Sequence, residues 1–302
     1  MVHDVVIIGG GPAGLTAGIY TKRAMLNALL LEKMGVGGQI IVTDLVENFP
    51  GFLEISGGDL ARKFEEHALK FGLEMKGMVE VSGIEDRGAT KIVKTYEGDF
   101  ETKTVIIATG TTPKKLGAKG ELNLIGRGVS YCATCDGFFF RDKVVVVVGG
   151  GDSAITEAIY LTKMAKNVII VHRRDQLRAE KINQEHAFAN PKISFVWDSV
   201  VEEIAGEKVV GKVIIRNVKT NVLSEIKTDG VFIYVGLIPN TVFANVTKDE
   251  RGFIVANDKM ETSVKGIFVA GDCRVTPLRQ IATAVGDGAI AAVSAERYIE
   301  GL

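Results

Sequence analysis

Gly9-Gly10-Gly11-Pro12-Ala13-Gly14 and Gly149-Gly150-Gly151-Asp152-Ser153-Ala154 are two copies of one glycine-rich turn. Each follows an apolar run and opens a helical pattern. Residues 5–8 lead into the first copy, residues 16–23 continue as helix, and residues 28–31 form the next strand, closed by Glu32. Val144 opens the second copy, residues 155–163 continue as helix, and residues 168–171 form a strand closed by His172. Gly14 to Glu32 spans 18 residues, and Ala154 to His172 spans 18 again. Two βαβ units of equal internal spacing describe two copies of one nucleotide-binding architecture. A chain of 302 residues has room for both.

Further echoes follow. Val105-Ile106-Ile107-Ala108-Thr109-Gly110 is an apolar strand ending at glycine, and Val231-Phe232-Ile233-Tyr234-Val235-Gly236 repeats it. A third such run, 266–272, comes after the second copy is complete. Alternating apolar and polar positions over 73–104, and again over 192–230, predict short antiparallel strands. Breaks at Thr112-Pro113 and Pro239-Asn240 mark linkers. The expected fold is therefore α/β, with two Rossmann-like three-layer domains. The second, 114–242, is inserted into the first, 1–113 with 243–302, which ends in a helix over 280–298.

Bulk charge argues against polyanionic partners. Thirty-six basic residues against 37 acidic ones leave a net charge of −1, so neither nucleic acid nor an anionic membrane is expected to bind. Residues 1–4 carry no Lys or Arg, unlike a secretory leader. No apolar stretch approaches the ~20 residues of a spanning helix. The expectation is a cytoplasmic protein.

The two fingerprints differ where they meet ribose. In the first, Gly9, Gly11, Pro12, Ala13 and Gly14 let backbone N–H groups approach a pyrophosphate at a helix N-terminus. Glu32 stands where a carboxylate accepts ribose hydroxyls and repels a 2′-phosphate. In the second, Gly149, Gly151, Asp152 and Ser153 precede His172-Arg173-Arg174, with Arg178 one helical turn later. Guanidiniums suit a 2′-phosphate through charge-assisted, often bidentate hydrogen bonds. The bland alternatives are a tightly packed turn and a solvated basic strand end. The contrast at one offset assigns FAD to the first unit and NADPH to the second.

Cys132-Ala133-Thr134-Cys135-Asp136-Gly137 lies between the fingerprints. A structural zinc site needs four ligands, but the only other cysteine is Cys273 and the four histidines show no ligand spacing. Disulfide exchange needs an attacking thiolate and a resolving thiol, and C-x-x-C supplies both. Asp136 has two readings: a proton donor or acceptor for the reduction, or a helix cap or Asp-Gly turn residue. Cys273 reads as a small buried apolar residue.

With these residues in hand, the chain resembles the bacterial-type, low-molecular-weight thioredoxin reductases over nearly its whole length. The motifs that carry the likeness are those above, together with Gly37-Gly38-Gln39, Glu47-Asn48-Phe49-Pro50-Gly51, Ala108-Thr109-Gly110, Gly271-Asp272 and Arg279-Gln280. The resemblance implies tightly bound FAD, NADPH as donor, thioredoxin as acceptor and a homodimer. It implies that Gly38, Gln39, Asn48, Ala108, Thr109, Gly110, Gly271, Asp272, Arg279, Gln280 and Ile281 join the first fingerprint around FAD. It also implies that Cys135 is the sulfur nearer the flavin, that Cys132 exchanges with the partner, and that Asp136 does acid–base work. Arg127, Phe138 and Phe139 correspond to partner contacts, although Phe138-Phe139-Phe140 reads equally well as core. A rotation of the inserted domain is implied too, since the dithiol must touch the flavin and then leave it. The other readings are a flavin disulfide reductase for a glutaredoxin-like or peroxiredoxin-system protein, a donor other than NADPH, and a non-catalytic redox module. A ferredoxin–NADP reductase would lack the C-x-x-C. Residues 273–278 fit no pattern.

Overall fold

The computed structural model describes residues 2–43 and 45–301. The opening apolar run is buried on both faces, with Val5, Val6 and Ile7 out of solvent, as suits the middle of a parallel sheet. It forms β1 (His3–Ile8), turns through the glycines into α1 (Pro12–Arg23), and returns as β2 (Ala28–Leu31). Pro12 opens the helix, where a missing N–H costs nothing. Next comes α2 (Gly57–Lys70), capped by Ser56, whose Oγ accepts the Asp59 N–H at 3.0 Å. The strands β3 (Glu74–Lys76), β4 (Val81–Asp86), β5 (Lys91–Thr95) and β6 (Phe100–Ile107) follow. Sheet order is β3-β2-β1-β6-β5-β4. β6 serves three ladders: one edge runs parallel to β1, while on the other Phe100 to Thr102 pair antiparallel with β5 and Val105 to Ile107 pair in parallel with residues 267–269. The antiparallel expectation over 73–104 thus holds for β4 to β6. β3 differs, running parallel to β2 and setting Met75 opposite Leu30.

After β7 (Thr111–Pro113) the chain enters its second unit, with α3 (Glu121–Leu124), β8 (Val129–Ser130) and α4 (Ala133–Asp136). The second βαβ motif is β9 (Val144–Gly149), α5 (Asp152–Leu161) and β10 (Asn167–Val171), followed by α6 (Lys181–Ala189) and β11 (Ile193–Val196). Three antiparallel strands, β12 (Ser199–Ala205), β13 (Lys212–Asn217) and β14 (Leu223–Lys227), form a separate sheet before β15 (Gly230–Tyr234). The main sheet, β11-β10-β9-β15-β8, is parallel throughout. Here again the first strand of the 192–230 stretch, β11, joins the parallel sheet rather than an antiparallel one.

β16 (Leu237–Pro239) pairs with β7. β17 (Ile267–Val269) then runs parallel along the inner half of β6, and α7 (Ile281–Glu300) packs on α1. The chain divides into two compact units, Met1–Thr112 with Ile238–Leu302, and Pro113–Leu237. The sequence puts the return at 243. In the structure Asn240 N–H already bonds Gly110 O at 3.0 Å and Thr241 Oγ1 bonds Gly252 O at 2.7 Å, both within the first unit.

Each unit repeats one layering. Alternate residues of a strand feed opposite faces. In the first unit Val5, Ile7 and Ile106 meet α1 and α7, while Val6, Ile8 and Val105 meet the antiparallel side. In the second, Val145, Val147 and Phe232 meet α5, and Val146, Val148 and Val231 meet β12 and β13. Among the described residues no helix is long and apolar enough to cross a membrane.

Candidate active site

Cys132 and Cys135 are joined by a disulfide across α4, a helix of four residues. Cys132 is its N-cap: its Sγ accepts the Cys135 N–H at 3.2 Å and its carbonyl accepts the Asp136 N–H at 3.2 Å. From β8, Ser130 Oγ accepts the Cys132 N–H at 3.0 Å. Gly137 ends the turn where a Cβ would crowd Met164 and Leu161, so the turn lies flat on the α5 side. Cys135 is exposed and Cys132 half-buried. Among the described residues no group of three or more His, Cys, Asp or Glu side chains is arranged to hold a metal.

Asp136 stands at the N-cap position of the 3-10 turn that follows, directly before Gly137. Its carboxylate caps no N–H of that turn. Instead it borders a cavity of about 270 Å³, together with Arg127, Phe139, Lys143, Val210 and Asp229. The aromatic run also splits. Phe140 is buried edge-on against Phe232 at 5.2 Å, whereas Phe138 and Phe139 are 66% and 68% exposed. Arg141 lies over the Phe138 ring. Arg127, Asp136 and Phe139 are thus brought together on one surface of the second unit, with Phe138 beside Phe139 at 6.3 Å.

The nucleotide loops can be tested against what they would hold. In the first unit Gly9 has φ +109°, and a Cβ there would strike the Ala108 carbonyl. Glu32 turns back over the loop: Oε2 accepts the Gly10 N–H at 2.6 Å and Oε1 accepts the Met34 N–H at 2.8 Å. A carboxylate oxygen has a further lone pair, so both can still accept ribose hydroxyls. Gly38 (φ +65°) approaches Gly11, leaving no room for side chains between them. Gln39 Nε2 donates to Thr111 O and Oγ1, both at 2.8 Å. Asn48 Nδ2 reaches Gln280 Oε1 at 3.2 Å, just before Ile281 opens α7. Gly271 (φ +76°) lies against Ala13, and Asp272 follows it. The bare backbone, the acid and the α1 N-terminus at Pro12 to Gly14 fit the ADP half of a flavin dinucleotide. Two of the expected residues are engaged elsewhere: Thr109 Oγ1 donates to Asn240 O at 2.6 Å, and Arg279 rides over Phe253 at 4.1 Å with its Nε on Asp272 O.

In the second unit Gly149 (φ +150°) meets the Tyr234 carbonyl as Gly9 meets that of Ala108. Gly151 opens on free space at the N-cap of α5, ahead of Asp152 and Ser153, and Asp152 Oδ1 is bonded by the Glu180 N–H. Arg173, Arg174 and Arg178 are exposed, and none forms an ion pair among the described residues. Three unpaired guanidiniums beside an open glycine loop fit a nucleotide phosphate. His172 does not stand with them. It is 4% exposed, its ring 2.5 Å from where a Gly150 Cβ would be, edge-on to Trp197. Burial, and then the charges of Arg178, Arg174 and Arg173, hold its pKa below the ordinary value.

Three groups escaped the sequence reading. Arg274 and Asp287 form a two-pronged ion pair, at 2.7 and 2.9 Å, largely buried, and Asp287 Oδ2 also accepts the Gly271 N–H. The uninterpreted 273–278 segment thus carries an anchor for the Gly271–Asp272 turn. Its signal was one arginine followed by an aspartate on a helix face 13 residues later. Glu121, buried, gathers the Leu116, Gly117 and Tyr131 donors. Tyr234 Oη accepts the Ala133 N–H at 2.9 Å. Cys273 is buried, and its thiol is pushed up to about 11 by burial.

A pyridine nucleotide-disulphide oxidoreductase family model matches residues 3–288. Thioredoxin reductase of Bacillus subtilis (strain 168) is 51% identical over 304 residues, covering 100% of this chain and 96% of that protein. Among solved structures, the thioredoxin reductase of Lactococcus lactis in its FR conformation superposes with a TM-score of 0.97 at 48% identity, covering 99% of this chain and 100% of that one. The T. acidophilum thioredoxin reductase does so at 0.94 and 40%, covering 97% of each.

Proposed function

The chain belongs to the pyridine nucleotide-disulphide oxidoreductase family, and from that premise we propose that it is an NADPH-dependent thioredoxin-disulfide reductase. One observation carries the reading: the Cys132–Cys135 disulfide shares a unit with an open glycine loop and three unpaired arginines, while the other unit holds an acid-bearing loop of the same build. The likeness to named thioredoxin reductases over the full chain supports the acceptor.

When bound, FAD supplies a two-electron carrier between NADPH and a disulfide. The residues then divide the work. Gly9 to Gly14, Glu32, Gly38, Gln39, Asn48, Ala108 to Gly110 and Gly271 to Asp272 would hold the flavin nucleotide, with Arg279, Gln280 and Ile281 at the mouth of α7. Gly149 to Ser153 with Arg173, Arg174 and Arg178 would hold NADPH, and His172 would floor the loop. The exposed Cys135 would take electrons from the flavin side. Cys132 would attack the partner disulfide, and Cys135 would then resolve the mixed disulfide. Opening Cys132–Cys135 puts two electrons and two protons on two sulfurs, one proton more than a hydride brings. Asp136, whose carboxylate caps no N–H and borders the cavity, would pass that proton. Arg127, Phe138 and Phe139 would meet thioredoxin. The dithiol must serve flavin and partner in turn, so the reading includes a rotation of the second unit about the two crossings, and also a cytoplasmic homodimer.

The test is a visible spectrum of the purified protein, an anaerobic NADPH titration, and turnover on a panel of thioredoxin, glutaredoxin and peroxiredoxin-system proteins. Bound FAD, bleaching by NADPH in preference to NADH, and turnover with thioredoxin are expected. A protein without flavin, or one turning over only another acceptor, would refute the reading.

A further inference from the structure

Tyr234 closes β15, the strand beside β9, and its side chain reaches under the redox turn. Its Oη accepts the Ala133 N–H at 2.9 Å, across 101 residues of sequence. Ala133 has no accessible surface, so water cannot replace that acceptor. The ring packs partly into the α5-side core. Burial, with the carboxylates of Glu157 from α5 and Asp136 from α4 facing it, pushes the phenol pKa upward, so the hydroxyl stays protonated. The internal repeat supplies a control. Ala108 occupies the equivalent strand end in the first unit, its carbonyl against Gly9 as that of Tyr234 is against Gly149. No redox turn lies there, and a methyl suffices.

We propose that the Tyr234 hydroxyl is a positioning group for the redox turn, holding Cys132 and Cys135 in register for disulfide formation once the S–S bond is open. Four helical residues do not hold themselves together. In the disulfide form the turn sets the Cys135 N–H on Cys132 Sγ, the Asp136 N–H on Cys132 O, and the Ala133 N–H on Tyr234, and in the dithiol these bonds would have to hold the turn without the S–S link. The last ties the middle of the turn to β15, while Ser130 on β8 holds its first residue, Cys132. Without that hydroxyl the disulfide form carries an unpaired buried N–H that it cannot relieve, because the S–S bond fixes the turn. The dithiol form can fray and let water in. Removing the hydroxyl therefore favours the dithiol and slows resolution of the mixed disulfide by Cys135.

This inference rests on the dithiol relay proposed above, but its test needs neither NADPH nor thioredoxin. FAD-loaded Tyr234→Phe and unsubstituted protein are equilibrated in dithiothreitol redox buffers. The reagent gives two electrons and two protons to Cys132 and Cys135 and closes to its own cyclic disulfide. Alkylation and mass spectrometry of the 132–135 peptide read the result. The substituted disulfide should be easier to reduce by about tenfold, which is about 30 mV for a two-electron couple. A group that only stabilises the fold serves both redox forms equally and moves nothing, so an equilibrium within about twofold of the unsubstituted protein, or a shift the other way, overturns the proposal. A second measurement needs no substitution. Hydrogen exchange at the Ala133 amide should stay slow after reduction, and loss of protection in the dithiol form would also overturn it. Failure of the relay itself would appear separately, as thioredoxin turnover surviving in Cys132→Ser.

Discussion

The two units share a frame and differ at its working positions. Both place a glycine of positive φ against the carbonyl of a neighbouring strand, and both end the second strand of the βαβ motif with a side chain laid over the middle glycine. In the first unit that side chain is Glu32, bonded to the Gly10 N–H at 2.6 Å. In the second it is His172, buried and making no such bond, with the charge moved outward to Arg173, Arg174 and Arg178. The same geometry therefore offers an acceptor to a diol in one unit and donors to a phosphate in the other. The second unit alone adds a disulfide, in a segment between β8 and β9.

The largest effect should come from that addition. Cys132→Ser and Cys135→Ser should each lower thioredoxin turnover by at least about 1000-fold, because one sulfur cannot both attack and resolve. Both should keep FAD. Cys132→Ser should leave a thiolate able to give a long-wavelength band with oxidised flavin, whereas Cys135→Ser should not. Near-normal turnover in either variant would leave the second unit a nucleotide domain like the first.

The arginines come next. Replacing Arg173 and Arg174 with alanine should raise the KM for NADPH by roughly 30- to 1000-fold, about 2–4 kcal/mol for paired phosphate contacts. The KM for NADH should hardly change. Equal losses with both nucleotides would mean that the arginines support the fold and that the contrast with Glu32 is accidental.

Most of this contrast was legible before the fold was known. Glycine spacing and apolar runs are local signals, and they located β1, β2, β9 and β10 and the offsets of Glu32 and His172. Illegible were the contacts made at long range. β3 and β11 looked like their antiparallel neighbours because a short edge strand carries the same alternation whichever way its partner runs. Burial of His172 follows from Trp197 and Gly150 closing around it, which no motif records. Tyr234 and Ala133 are 101 residues apart, and Arg274 and Asp287 pair between a loop and a helix face. Such pairs become visible only when the sheet is assembled.

Arg274 and Asp287 give a prediction confined to the first unit. Asp287→Ala would leave a largely buried guanidinium without its carboxylate and free the Gly271 N–H. Breaking a pair of this kind costs about 3 kcal/mol or more. The urea midpoint should fall, and FAD should be lost on dilution, while the NADPH-side arginines keep their nucleotide preference. Unchanged flavin retention would show that the Gly271–Asp272 turn needs no anchor.

The smallest effect belongs to Asp272. Burial first, and the nearby Asp287 charge, hold its pKa above the ordinary carboxylate value, with Arg279 opposing them. The folded protein thus binds this proton more tightly than the unfolded chain does. Its contribution to stability is complete below the unfolded pKa, ~4, and is lost as pH rises through the raised folded value. At neutral pH the ionised carboxylate is a liability to the fold, kept in the turn assigned to the flavin. Asp272→Asn should therefore stabilise the flavin-free protein at pH ~7, by about 1 kcal/mol or less, and give no advantage near pH ~4. The same substitution should weaken FAD retention. Urea unfolding at a series of pH values, paired with flavin release, reads both. If the variant gained nothing at neutral pH, Asp272 would be as comfortable in the fold as Glu32, whose carboxylate is satisfied by two backbone N–H groups, and the cost of holding the flavin would have to lie elsewhere in the first unit.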